Sequence, residues 1–417
     1  MTQLHERGPG GPPAFAPIDA GQRIQAMDVV RGFALLGIFL MNIEWFGRPM
    51  QEMGSGIDPS ATGIDHAAAW AVHAFVAGKF WVLFSLLFGM GFAVMSSRGG
   101  HGPAFRGRYL WRCLVLLGFG VLHAVLLWPG DILHAYAITG LLLLAFGEIS
   151  SRARLVLGIG LYGVMALMIV FSGGLLSLVP ADELGEMTAM AAQMETDAAR
   201  AVQAYAHGSY LDVVAQRARD FASVAMQGLV MTVPMALGVF MLGAWLVRSG
   251  RVHDIASQRG FYLRLALCAL PVGTVFALMA MSVGTSFDGM REMGPMLLAN
   301  GLMMLGSLPL ALGYFALLVL GLGVPGLSRV LGCLAPAGRM ALTNYLLQSL
   351  IASTLFYGYG FGLGGQIGRA GQVALVFVVF ALQVLASHWW LARHRFGPME
   401  WLWRWFTYGA RPPMRLA

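Results

Sequence analysis

Apolar positions along this chain come in blocks rather than in a strand-like alternation or a narrow helical stripe. Runs close to the roughly 20 residues that cross a hydrocarbon core occupy 30–45, 71–95, 110–128, 132–146, 155–179, 221–247, 263–283, 295–322, 341–357 and 372–391. Backbone groups immersed in lipid must bond within their own segment, so each block predicts a helix. The pattern predicts an all-α, polytopic integral membrane helical bundle of about ten transmembrane helices, with no room for a sizeable soluble domain.

The positions between blocks set the orientation. Arg98, Arg106, Arg108 and Arg112 share one connection, and Arg152 and Arg154 the next on that side. Arg248, Arg251, Arg259 and Arg264 follow, then Arg329 and Arg339, then Arg393, Arg395, Arg404, Arg411 and Arg415. The intervening connections carry acids: Glu52, Asp58 and Asp65; Asp182, Glu183, Glu186, Glu195 and Asp197; Asp288 and Glu292. Cytoplasmic loops retain cations, which predicts a multi-pass protein of a bacterial-type inner (plasma) membrane with both termini cytoplasmic. Composition agrees, at 58% hydrophobic and 11% charged residues. The net charge of +7 follows from this loop bias, so it gives no reason to expect nucleic-acid binding.

Three stretches stand apart from the spans. Residues 1–22 are Gly/Pro-rich and read as a disordered segment, not as a cleaved signal peptide. The N-terminal membrane half, 23–220, ends in a long outer connection, 180–220, with helical spacing and Met187, Met190 and Met194 in a stripe. That connection suits an amphipathic helix on the membrane surface or over the bundle; a substrate lid is the sharper reading. The C-terminal half, 221–417, ends in a tail, 393–417, whose Trp401, Trp403, Arg404, Trp405 and Tyr408 suit the cytoplasmic headgroup layer, with Glu400 and Arg404 as an i,i+4 pair. Cys113, Cys268 and Cys333 lie on different helices, so neither a disulfide nor a metal site is expected.

An ionisable group at the centre of a lipid-facing helix costs about 2.5–3.5 kcal/mol on insertion scales, so those that persist tend to face the bundle interior. In "MDVVRGFALLGIFLMNIEWFG", Asp28 and Arg31 share a helix face, Asn42 and Glu44 lie at the far end, and Gly32 and Gly37 permit close helix approach. Lys79, the sole lysine, either snorkels outward or serves as a counter-ion. In "HAVLLWPGDILHAYAITG", Asp131 suits a helix N-cap, but a cap leaves His123 across the turn unexplained. The hairpin brings His123 and Asp131 together as a base with its orienting carboxylate, with His134 and Tyr136 adding donors. In "GRMALTNYLLQSL", Asn344 and Gln348 stack on one face, either as interhelical glue or as substrate contacts.

The stretches "RIQAMDVVRGFALLGIFLMNI", "GKFWVLFSLLFGMGF" and "RCLVLLGFGVLHAVLLWPGDILHAYAITGLLLL" resemble the N-terminal half of the YeiB-like membrane proteins. "GRMALTNYLLQSL" and "HRFGPMEWLWRWFTYG" resemble the C-terminal domain of unknown function of that family. The family in turn resembles the transmembrane acyltransferase superfamily. The resemblance implies acyl transfer from cytoplasmic acyl-CoA, acetyl-CoA above all, to a hydroxyl or amine acceptor, a sugar or small metabolite, at the outer face. The heparan glucosaminide acetyltransferase branch of that superfamily carries an asparagine late in its first helix, to which Asn42 corresponds, and a histidine soon after. His66 and His73 come later than that pattern expects, and His123 takes the role instead.

On this reading His123 is the base, Asp131 fixes its tautomer, and Asn42 or Lys79 stabilises the oxyanion. Arg31, Arg98, Arg106, Arg108 and Arg112, with Lys79 as a further counter-ion, hold the donor phosphates. Glu44, His134, Tyr136, Asn344 and Gln348 contact the acceptor. A transporter of a small anionic or amphipathic molecule, using Lys79 and Asp131, is the rival reading; a non-catalytic scaffold is the third. Membrane lipid is the surrounding partner. Small-residue stretches such as "GLGVPG" and "GYGFGLGGQIG" suit packing within one chain or between two, which leaves a homodimer open.

Overall fold

The computed structural model describes residues 25–99, 102–180, 185–252, 257–288 and 291–416, so the expected disordered segment 1–22 lies outside the described residues. Among the described residues the secondary structure is helical, apart from isolated bridges at Gly56–Ser286 and His394–Arg415. The helices are α1 (Gln25–Asn42), α2 (Gly63–Phe75), α3 (Lys79–Gly99), α4 (Pro103–Leu126) and α5 (Leu133–Leu143), then α6 (Ser151–Leu176), α7 (Gly185–His207) and α8 (Tyr210–Arg248). There follow α9 (Arg259–Val283), α10 (Met293–Leu322), α11 (Pro325–Gly332), α12 (Ala335–Arg339), α13 (Ala341–Phe356), α14 (Arg369–Leu391) and α15 (Pro398–Tyr408).

Every apolar block is largely helical, with the 71–95 block broken between α2 and α3 at Gly78, but they are not of one length. Among the described residues, eight helical segments are long and apolar enough to cross a bilayer. The other two expected spans are short: α5 has 11 residues and α13 has 16. At 1.5 Å per residue α5 reaches only about 16 Å. Such a helix is tolerable because protein surrounds it: from Leu133 to Thr139 every residue is buried apart from half-buried Ile138. Layering follows from burial. The apolar window of α8 is 72% buried and that of α6 only 17%, so α6 faces lipid while α8, with α1, α3 and α10, forms the interior. The boundary expected between residues 220 and 221 falls inside α8, which both halves share.

Missing side chains set the inner contacts. A Cβ on Gly89 would strike the Phe240 carbonyl, and one on Gly243 the Leu86 carbonyl, so α3 and α8 meet backbone to backbone. Gly32 makes the same close approach to Leu334, which seats α12 against α1.

Two caps close the bundle. At the acid-rich end, α7 packs on α8 and on the 50–52 turn through buried Ala201, while Met190 of the expected stripe stays exposed. Arg217 of α8 is fully buried there, donating to the Leu126 carbonyl and the Tyr359 hydroxyl beneath the Tyr357 ring, and so ties α8 to the end of α4. At the arginine-rich end lies α15. Its Trp403 indole donates to the Arg112 carbonyl, while Trp405 and Phe406 are exposed.

The expected Glu400–Arg404 surface pair is replaced by an inward contact. Glu400 accepts from the Leu342 and Thr343 amides at 2.7 and 3.1 Å and from the Thr343 hydroxyl at 2.6 Å. These are first-turn donors of α13, which have no intrahelical partner. Burial pushes the Glu400 carboxyl above its ordinary range, against these hydrogen bonds. Glu400→Ala leaves the donors unpaired, and the expected cost is about 1–3 kcal/mol, read as a lower melting midpoint of the detergent-purified chain.

Candidate functional site

The site is built on the α4–α5 hairpin. The Leu127 and Trp128 amides both donate to the His123 carbonyl at 2.9 Å, which ends α4 and turns the chain. Trp128 then buries its ring against Phe46, 5.1 Å between centroids. Asp131 folds back against α4 at Gly120, where a Cβ would lie 2.8 Å from its Oδ2 and 2.5 Å from the His134 nitrogen. Only a glycine at 120 admits this approach.

Asp131 is thereby surrounded by donors. Its Oδ2 accepts from the His134 amide at 2.8 Å and lies 3.0 Å from the His134 Nδ1. Its Oδ1 lies 2.8 Å from the His123 Nδ1. Burial alone pushes the Asp131 carboxyl up, but the hydrogen bonds from both imidazoles and the His134 amide outweigh it and hold the group below the ordinary carboxylate range. An ionised carboxylate only accepts, so the His123 proton sits on Nδ1. In the neutral ring Nε2 is then the acceptor, and the Ser349 hydroxyl donates to it at 2.8 Å. The side chains of His123 and Asp131 have no solvent exposure. A buried serine, imidazole and carboxylate thus stand in one hydrogen-bonded line. The helix cap and the base-orienting pair, alternatives in the sequence, are both realised by Asp131 through its two oxygens.

A cavity of about 310 Å³ approaches this line from the arginine-rich end. Arg31, Arg112, Arg339 and Arg404 line its mouth, with Asp28 and Glu400 among them. Asp28 pairs with Arg31 at 2.8 Å, as their spacing predicts. The walls beyond are apolar, from Met27, Leu87, Phe88 and Leu116, and the lining extends to Ile132, Tyr136 and Tyr345. The Tyr345 ring packs 4.9 Å from the His123 ring, so it separates the cavity from the imidazole. Arg112 and His123 lie eleven residues apart on α4, about 16 Å along its axis.

Several expected positions fall elsewhere. Arg98 is exposed and lines no part of the cavity, and Arg106 pairs at 2.7 Å with Glu148, both largely in solvent. Arg108 borders a small crevice beside Tyr109 and Tyr408. Their place at the mouth is taken by Arg112, Arg339 and Arg404, because the entering faces of α4, α12 and α15 are chosen by packing, not by loop charge. Asn42 is buried at the end of α1 without a hydrogen bond to His123 or Asp131 and outside the cavity lining. Glu44 is bound to Arg48 at 2.7 Å and Arg369 at 3.4 Å, part of the acid-rich cap.

Lys79 is fully buried at the start of α3, where Gly78 takes a left-handed φ of +82°. Its Nζ reaches the Met303 sulfur at 2.8 Å and the His73 carbonyl at 3.3 Å, away from the cavity. Asn344 bonds Ser387 at 3.0 Å and Gln348 bonds Gln383 at 3.0 Å, both across to α14. Tyr136 lines the cavity but spends its proton on the Trp81 carbonyl at 2.7 Å. The His134 Nε2 is buried without a partner among the described residues.

Sequence reasoning missed Tyr345 and Ser349. They lie four apart on α13, on the face next to that of Asn344 and Gln348, and turn toward the hairpin. The spacing in "TNYLLQSL" carried the signal, since a second polar pair at i,i+4 marks a second interior face.

Comparison with known proteins finds relatives that span nearly the whole chain. Residues 246–410 match the family described as "Protein of unknown function (DUF418)". The chain is similar to the protein printed as "Uncharacterized protein YxaH" of Bacillus subtilis (strain 168), 31% identical across 96% of this chain and 98% of that one. It is likewise similar to "Uncharacterized protein YeiB" of Escherichia coli (strain K12), 33% identical across 94% of this chain and 98% of that one. With identity of this level running nearly end to end, the chain belongs to the YeiB-like family.

Proposed function

We propose that this protein is a membrane-embedded acyltransferase of the bacterial plasma membrane. It takes a short acyl group from acyl-CoA at the arginine-rich, cytoplasmic face and passes it to a hydroxyl or amine of a sugar or small metabolite at the opposite face. One observation carries the reading: a cavity with a cationic mouth and apolar walls leads to the tyrosine packed against a buried, carboxylate-oriented imidazole. Acyl-CoA has the matching order of parts, with phosphates at one end, a long arm, and the reactive thioester at the other. Arg31, Arg112, Arg339 and Arg404 supply the charge for the phosphates.

His123 Nε2 is the base, and Asp131 holds the tautomer that keeps it free to accept a proton. The Tyr345 hydroxyl is buried beside the Ile132 amide, and its proton has no acceptor among the described residues. It donates to the thioester oxygen as charge develops there, where one donor is worth about 3 kcal/mol in a dry site. His134, whose Nε2 has no partner among the described residues, is the proposed contact for the acceptor. The test is release of free CoA from labelled acetyl-CoA by the detergent-purified full chain, given an extract of small sugars and amines. Steady CoA release above a His123→Ala control supports the reading, and its absence with both acetyl- and butyryl-CoA counts against it.

Buried Lys79, paired with no carboxylate among the described residues, favours transport as the second reading, because such groups mark ion or proton paths in membranes. Lys79→Met separates the two. If acyl transfer is the activity, the variant folds and releases CoA within about threefold of wild type, since an apolar isostere at a buried cation is near neutral or stabilising. A transporter relying on Lys79 loses substrate flux into proteoliposomes.

A further inference from the structure

We propose that Ser349 is the nucleophile of the transfer and carries the acyl group as a covalent ester between two half-reactions; this rests on the acyltransferase reading. The Ser349 hydroxyl gives its one proton to His123 Nε2 at 2.8 Å, and Asp131 accepts from the other ring nitrogen at 2.8 Å. Serines and threonines inside helices ordinarily bond back to a carbonyl of the preceding turn. Ser353, Thr354, Thr139 and Ser307 of this protein all do so. Ser349 forgoes that bond and is aimed across the interface at a base. Its burial matches that of its partners, with 3% of the residue exposed. Tyr345, which lines the cavity, lies one helical turn below it, about 5–6 Å between Cβ atoms. Tyr345 packs on the His123 ring, so movement of its side chain would open the tyrosine end of the cavity toward Ser349 Oγ.

The steps balance without any further reagent. In the first half, Ser349 Oγ attacks the thioester carbonyl while its proton moves to His123 Nε2. An oxygen–carbon bond forms, the carbon–sulfur bond breaks, and His123 returns the proton to the departing CoA thiolate. In the second half, an acceptor hydroxyl or amine attacks the Ser349 ester, His123 takes the acceptor's proton, and Ser349 Oγ leaves and recovers it. Oriented by one carboxylate, one imidazole serves both halves. The covalent stage also suits the geometry. Donor and acceptor come from opposite faces, and a relay on α13 spares them from meeting in one small chamber.

The experiment incubates the detergent-purified full chain with radiolabelled acetyl-CoA, without acceptor, then quenches it in acid and maps the peptides. One acetyl group per chain is expected on the α13 peptide holding Ser349, formed with an equal burst of CoA. Ser349→Ala should lose the label and at least 100-fold in CoA release while still binding acetyl-CoA. Ser349→Cys should carry the label as a thioester that neutral hydroxylamine removes. Two results overturn the proposal alone: wild-type chain that turns over acetyl-CoA with no label at Ser349, or Ser349→Ala that releases CoA at the wild-type rate. Wild-type chain that neither binds acetyl-CoA nor releases CoA overturns the acyltransferase reading with it.

Discussion

His123→Ala and Asp131→Asn are each expected to lower acetyl-CoA turnover by about 10²–10⁴-fold, the range that a positioned general base contributes, while KM for the donor changes little. The reason lies in the hydrogen bonds of the hairpin. Asp131→Asn replaces a pure acceptor with an amide that donates as readily as it accepts. The amide no longer requires the proton on His123 Nδ1, so the ring can turn its N–H toward Ser349 and lose its basicity there. His123→Ala removes the base outright but leaves the cavity mouth untouched at Arg112, about three turns away along α4. Both variants should be soluble in the same detergent and bind acetyl-CoA; loss of folding in both would return the pair to a structural role. Acid should mimic Asp131→Asn. The folded Asp131 carboxyl is held below its ordinary range, so the ionised carboxylate's contribution persists through neutral pH and is lost only as pH falls beneath that range.

The second large effect belongs to the other end of the cavity. Arg31→Gln and Arg339→Gln should each raise the donor KM by about tenfold to a hundredfold, since a hydrogen bond to a charged group is worth about 1.5–3 kcal/mol and each 1.4 kcal/mol is about tenfold. Their kcat should hold, because the phosphates they are proposed to bind do not change during the reaction. Arg106→Gln is the internal control. Its partner is Glu148 in solvent, and exposed pairs contribute about 0–1 kcal/mol, so its KM should stay at the wild-type value. Initial rates against acetyl-CoA concentration check all three, and an Arg106 effect equal to that of Arg31 would remove the cavity mouth from the donor site.

The difference between these arginines shows what a sequence of this kind reveals. Apolar block length is a local property dictated by bilayer thickness, and so the blocks read correctly as helical, although 71–95 is two helices rather than one. Asp28 with Arg31, and His123 with Asp131, were also legible, because a helix face or a tight turn brings near neighbours together whatever the rest of the chain does. Ser349 meets His123 across 226 positions, and nothing local to "LLQSL" distinguishes it from Ser353, which bonds its own helix. The cavity arginines pose the same problem. Arg108 and Arg112 are one turn apart, yet only Arg112 faces inward, against Trp403 at 3.6 Å. Lys79 misled for a different reason: its cost of burial signals importance, but its aim depends on the break at Gly78 between α2 and α3. The shortness of α5 and α13 was hidden as well, since composition cannot say where a helix is shielded from lipid by its neighbours.

The proposed transfer requires the arginine-lined mouth and the buried imidazole to belong to a single donor path. An electron cryomicroscopy map of the full chain with a non-hydrolysable acetyl-CoA analogue examines it directly. The predicted map has phosphate density beside Arg31, Arg112 and Arg339 and the acyl end against Tyr345, within reach of His123 and Ser349. Density for the analogue at the acid-rich cap, or an empty chamber at saturating analogue, would contradict it.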